Sequence, residues 1–174
     1  MFKKRSAKIA PSSSSSEVQR EERTRMPSLE TMRVMSLQTL FKLYGGQRHP
    51  RLDSYDTLRN SGELLEWRYV PLDATTIYIS HEWTGSSSPD HDGTQMYHLL
   101  LLLERLKNGL VPRTEMDAGH VMIYKQNHTT TSQEWKRMLD SSNTFIWYDG
   151  FCIPKSRRED SLKSIPAVCA IASK

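Results

Sequence analysis

The sequence has few cysteines and no glycine-rich phosphate loop. Neither GxxxxGK nor GxGxxG occurs, which argues against a P-loop ATPase or an ordinary dinucleotide-dependent dehydrogenase. The two cysteines, Cys152 and Cys169, come with no secretory apolar segment after the basic first residues. We therefore expect free thiols, no structural disulfide and a cytoplasmic location.

Long apolar stretches are also absent. The longest uninterrupted run extends from Leu99 to Leu103, whereas a helix that crosses a bilayer needs about 20 apolar residues. No membrane partner is therefore predicted. Apolar residues make up 37% of the 174 residues, a low share that still allows one domain with a core of its own.

Excess charge of one sign is confined to the start of the chain. Residues 1–25 hold seven Lys or Arg side chains against three Glu, which accounts for the whole formal charge of +4. The rest of the chain is balanced, so no specific nucleic-acid partner is predicted. The basic and serine-rich residues 1–27 cannot bury a core, and we predict that they are disordered.

Helical periodicity is present after this tail. Apolar residues recur at helical spacing from Ser28 to Tyr44, and Gly45-Gly46 supplies a C-cap signal. A second short helix is predicted at Ser54–Asn60, followed by an irregular or extended segment at Leu64–Val70. Residues 28–70 are accordingly predicted to form a helical extension that covers one side of the next domain.

Residues 71–174 show the pattern of an α/β domain. Thr76–Ser80 and Thr144–Asp149 are predicted strands, because they are rich in β-branched and aromatic residues and are followed by turn signals. Predicted helices lie at Gly93–Asn108, at Ser161–Ser173 and after the capping-box sequence Thr131–Glu134. This alternation is typical of parallel strands joined by helical crossovers.

A parallel sheet of two strands would be incomplete. Both of its edges would lack a pairing strand. The chain is therefore expected to be a fragment, an early-terminated gene model, or part of a domain that another chain completes.

Polar side chains gather at the predicted strand ends. After the first strand come Ser80, His81, Glu82 and Trp83, and Asp149 closes the second strand. Ligands bind at the carboxyl edge of open parallel sheets, and the helix that begins at Gly93 would add free backbone N–H groups that favour a phosphate. We predict a ligand site here. The alternative is that His81 and Trp83 only fasten the loop.

Two other groups of residues have simpler explanations. Asp90-His91-Asp92 could contribute metal ligands together with His81 and His98, but the spacing matches no standard metal site. Asp-rich turns before helices usually cap them. No metal site is predicted.

Cys152 would need a positioned base to act as a nucleophile, and a strand-end cysteine among apolar neighbours is more often a small core residue.

Two stretches, Tyr78–Trp83 and Phe145–Pro154, together resemble the heterokaryon-incompatibility (HET) domain. In that family one strand ends in a Ser-Tyr-x-Trp loop, and a later strand carries Trp-Ile-Asp before a Cys-Ile-Asn-Gln ending. The chain is also similar to the related Toll/interleukin-1 receptor (TIR) domains, whose first strand ends in Ser-His or Ser-Phe. Ser80 to Gln95 resembles stretches of uncharacterised proteins from algae and other protists.

The resemblance implies a flavodoxin-like domain of the TIR/HET kind, used in intracellular signalling or self/non-self recognition, with NAD or a related nucleotide as its ligand. Some TIR relatives cleave NAD with a glutamate, on a helix after the third strand, that stabilises an oxocarbenium-like ribose. No residue here matches that glutamate, since Glu82 lies in the first loop and Glu134 precedes the second strand. Catalysis is left open, and a non-catalytic module that self-associates through its helices is the alternative.

Overall fold

A computed structural model of the chain describes residues 32–79, 90–115, 118, 122 and 128–154. In chain order, their helices and strands are β1 (Arg33–Ser36), α1 (Leu37–Tyr44), α2 (Tyr55–Asn60), β2 (Leu65–Glu66), a 3₁₀ turn (Trp67–Tyr69), β3 (Thr75–Ile79), α3 (Thr94–Lys107), β4 (Arg113–Glu115), β5 (Thr129–Thr131), α4 (Ser132–Asp140), β6 (Thr144–Tyr148) and α5 (Asp149–Cys152). The predicted tail and the predicted helix Ser161–Ser173 lie outside the described residues.

The main sheet has the strand order β2-β1-β6-β3. β3 runs parallel to β6 along its whole length, in a register that starts at Thr75 opposite Thr144 and ends at Ile79 opposite Tyr148. β1 is antiparallel to both β2 and β6. The chain therefore has a mixed α/β fold with an open sheet, and the predicted parallel relation of the two strands is confirmed.

The prediction of one helix from Ser28 to Tyr44 is wrong for Arg33–Ser36, which forms β1. Val34 and Met35 are fully buried there, because β1 lies between β2 and β6 in the sheet. The helix begins only at Leu37, where the Ser36 hydroxyl accepts a hydrogen bond from the Thr39 N–H at 3.0 Å. Within the described residues the main sheet consequently has four strands, two more than the sequence indicates.

β6 forms the centre of the core. All five of its residues are buried, and Ile146 is fully inaccessible to solvent. Such a strand reads as a continuous apolar run because both of its faces are covered. The burial of β6 therefore fixes the position of its carboxyl end and of Asp149, the residue that follows it.

α3 begins and ends close to the predicted positions, and α4 begins within the predicted capping box. α3 buries Met96, Leu100, Leu103 and Leu106 at helical spacing. At the start of α4, the Thr131 side chain accepts from the Glu134 N–H while the Glu134 carboxylate accepts from the Thr131 N–H, so the predicted capping box is confirmed. Among the described residues, no helix combines the length and the hydropathy that a membrane crossing requires.

Candidate functional site

The carboxyl ends of β3 and β6 lie side by side. Ile79 pairs with Tyr148 as the last residue of each strand. The predicted site residues Ser80, His81, Glu82 and Trp83 lie outside the described residues. Asp149, the predicted site residue after β6, follows Tyr148 directly and opens α5.

Two buried carboxylates border this end of β6. Asp149 is 3% exposed and Asp90 is 5% exposed. The pKa of Tyr148 is raised well above its usual range, mainly because the phenol is buried and further because the charges of Asp90 and Asp149 act on it. Both carboxylates therefore lie close enough to Tyr148 for their charges to act on it, although 59 positions of the sequence separate them.

The first turn of α3 is capped by the chain's own carboxylates. Asp90 Oδ1 accepts from the Gln95 N–H at 3.2 Å, and its Oδ2 accepts from the Met96 N–H at 2.8 Å. Asp92 Oδ1 accepts from the Thr94 N–H at 3.1 Å, and this bond is the main reason why the pKa of Asp92 is lowered. The expectation that the first N–H groups of this helix are free is therefore wrong for Thr94, Gln95 and Met96.

Gly93 brings two loops into contact. Its φ of +74° lies in the left-handed region, and a Cβ atom there would come within 2.5 Å of the Pro50 carbonyl oxygen. Only glycine fits such a close backbone approach without strain. Gly93 thus fastens the start of α3 to the loop that follows α1.

A cavity of about 330 Å³ lies between these two loops. It is lined by His49, Arg51, Leu52, Asp90, His91 and Asp92. This volume is at the small end of the range for ligand pockets. Asp90, which lines the cavity, also acts electrostatically on Tyr148, the last residue of β6.

The sequence did not indicate the cavity residues that come from the loop after α1. His49, Arg51 and Leu52 lie between two predicted helices, in a segment without periodicity. The only available signal was the polar character of the loop around Pro50, which is common in connecting segments.

Cys152 is a core residue. Its Sγ accepts a hydrogen bond from the Tyr148 N–H at 3.4 Å, and the residue is 2% exposed. Burial raises the pKa of the thiol to about 12. The thiol therefore stays protonated and is no nucleophile near neutral pH.

Metal binding has no geometric basis in the described part of the chain. Across residues 32–79, 90–115 and 128–154, no three His, Cys, Asp or Glu side chains come together in a way that could hold a metal ion. Asp90 and Asp92 instead act as helix caps, as expected for an Asp-rich turn.

Comparison of the chain with known protein families, with curated proteins and with solved structures finds no match.

Proposed function

We propose that the chain is a cytoplasmic signalling or self/non-self recognition domain of the HET/TIR kind, with a flavodoxin-like arrangement, that binds a nucleotide-like ligand. The observation that supports this most is the parallel register of β3 and β6, with the buried Asp149 at the end of β6. In open α/β sheets, ligands bind outside the carboxyl ends of such strands.

The chemistry at this edge suits the sugar of a nucleotide. Carboxylates such as Asp149 accept hydrogen bonds from ribose hydroxyls. Asp90 provides a second carboxylate nearby, but both of its oxygens already accept from α3. Asp149 lies directly after β6, and in this proposal it contacts the ligand together with the predicted loop residues Ser80, His81, Glu82 and Trp83 and with Gly93.

Cleavage of NAD belongs to this proposal only for a longer domain. An oxocarbenium-like ribose needs a carboxylate against its reacting carbon. Glu134 cannot supply it, because its carboxylate is engaged in the capping box of α4. We therefore assign binding to the present chain and leave hydrolysis to a glutamate of a later helix.

Calorimetric titration of the full chain with NAD, ADP-ribose and adenosine monophosphate tests the proposal. Asp149→Asn and Trp83→Ala should each weaken binding at least about tenfold, whereas Asp56→Asn, on the exposed side of α2, should leave binding unchanged. Thermal unfolding of each variant shows whether it is folded. Absence of binding to all three compounds at millimolar concentration would refute the proposed function.

The second candidate function is a non-catalytic module that self-associates through its helices. It is favoured by two adjacent leucines on the outer side of α3, since Leu101 is 38% exposed and Leu102 is 48% exposed. Light scattering after size-exclusion chromatography should then show a dimer that Leu101→Gln/Leu102→Gln dissociates and that Glu104→Gln retains. A monomer at every concentration would contradict self-association.

A further inference from the structure

We propose that the cavity between residues 49–52 and 90–92 is a binding site for a phosphate group, with Arg51 as its principal cation and His49 and His91 as additional donors. The inference rests on the proposed function in one respect, because the phosphate would belong to the nucleotide-like ligand. It replaces the N-terminus of α3 as the place where that phosphate binds.

Arg51 is exposed and lines the cavity. Three other arginines are engaged in ion pairs: Arg33 and Arg68 both pair with Glu66, and Arg113 pairs with Glu115. Within the described part of the chain, Arg51 has no such ion pair or hydrogen bond. Its guanidinium therefore keeps all five N–H donors for a ligand, and phosphate oxygens match that planar set of donors.

The two carboxylates of the cavity do not cancel this preference. Asp90 accepts hydrogen bonds from two backbone N–H groups of α3, and Asp92 accepts a hydrogen bond from a third. The positive end of the α3 dipole, equivalent to about half an elementary charge, thus offsets part of the charge of these two carboxylates. Arg51 is the one cationic side chain of the lining that is always charged, and no partner for it is found among the described residues.

The cavity is held in shape before a ligand binds. The His49 ring stacks on the Tyr97 ring of α3, with centroids 6.3 Å apart and planes inclined by 30°. The close approach of Gly93 to Pro50 fixes the backbone on either side of the cavity. A preformed site loses less entropy on binding than a site that must first be ordered.

A single small phosphate compound fits this cavity better than a nucleic-acid backbone or a lipid surface. The volume of about 330 Å³ is suited to one small molecule. Binding to a polyanion needs several cations along a surface, whereas this cavity has one arginine and two histidines. The chemical class of the ligand is therefore a phosphate monoester such as a sugar phosphate or a nucleoside monophosphate.

Titration of the full chain with inorganic phosphate, ribose 5-phosphate, adenosine monophosphate and adenosine tests the inference. Arg51→Gln should weaken binding of the three phosphate compounds at least about tenfold, and Arg51→Lys should restore part of it. Arg48→Gln is the matched control, because Arg48 is exposed, lies three positions earlier and is not among the cavity residues. His49→Gln should weaken phosphate binding to a smaller extent.

The outcomes separate the two proposals. If inorganic phosphate binds, and Arg51→Gln abolishes this binding while Arg48→Gln does not, the phosphate site is supported. This holds even if adenosine monophosphate binds no better than inorganic phosphate, a result that would count against the proposed function. If adenosine monophosphate binds in a way that depends on Asp149 but not on Arg51, the proposed function survives and the phosphate site is refuted. Equal losses in Arg51→Gln and Arg48→Gln also refute it.

Discussion

At the scale of single residues, Gly93 determines how two distant loops meet. Its backbone is left-handed, and a side chain there would collide with the carbonyl oxygen of Pro50. Gly62 also has a left-handed backbone, with φ of +79°, but a Cβ atom at Gly62 would meet nothing within 4 Å. The two glycines therefore separate the effect of backbone conformation from the effect of close packing.

We expect Gly62→Ala to lower the free energy of unfolding by about 1–2 kcal/mol, the cost of a left-handed alanine. Gly93→Ala should cost an additional ~1–3 kcal/mol, because the loops must separate to admit the methyl group. Urea denaturation monitored by circular dichroism measures both values. Equal losses in the two variants would show that the loops do not pack at Gly93.

Single site residues could be predicted only where local sequence sets their position. Asp149 was predicted because it ends a recognisable strand, and its place at the carboxyl end of β6 is confirmed. The place of Arg51 in the cavity lining was not predicted, because the cavity forms only where residues 90–92 approach the loop after α1, and no local pattern specifies that approach. We expected free N–H groups at the start of α3. Asp90 instead accepts hydrogen bonds from the N–H groups of Gln95 and Met96, which are five and six positions later in the sequence.

At the scale of secondary-structure elements, the capping box of α4 predicts a pH effect. Hydrogen bonds from the Thr131 N–H and hydroxyl lower the pKa of Glu134 below its usual value. A carboxyl whose pKa is lower in the folded state stabilises that state above its unfolded pKa, about 4.3 for Glu. This contribution is lost as the pH falls through the folded pKa.

Glu134→Gln keeps the hydrogen bonds of the box but removes the charge. The wild-type chain should therefore be more stable than this variant at pH 7, and the difference should shrink as the pH falls below about 4. Thermal unfolding across this pH range checks the expectation. Glu104→Gln, an exposed carboxyl outside any cap, is the control. A gap between wild type and Glu134→Gln that is the same at both pH values would contradict the predicted role.

Elements with a long regular pattern were predicted well, and short ones were not. α3 shows its period over 14 residues, and β6 is a compact apolar run between turn signals. β1 has only four residues and continues into α1 without a loop, so Val34 and Met35 fit the spacing of a helix equally well. Its pairing with β6, far along the chain, decides its conformation.

At the scale of the whole molecule, the main sheet depends on both halves of the chain. A chain that begins at Pro71, the predicted domain boundary, would lack β1 and β2 and would leave one edge of β6 unpaired. We expect this fragment to be unfolded or aggregated, because buried backbone groups need hydrogen-bond partners. Nuclear magnetic resonance spectra of residues 71–174, alone and with residues 32–70 added, check the expectation. A well-dispersed spectrum of the shorter fragment alone would contradict it.

The position of β6 in the sheet also has a consequence during synthesis on the ribosome. β1 and β3 both pair with β6, yet both are translated well before it. At a synthesis rate of ~5–20 residues per second, on the order of ten seconds pass between the synthesis of β1 and that of β6. Throughout that interval the apolar side chains of Val34, Met35 and Ile77 lack their final neighbours. The nascent chain is therefore most in need of a chaperone just before Thr144 leaves the exit tunnel.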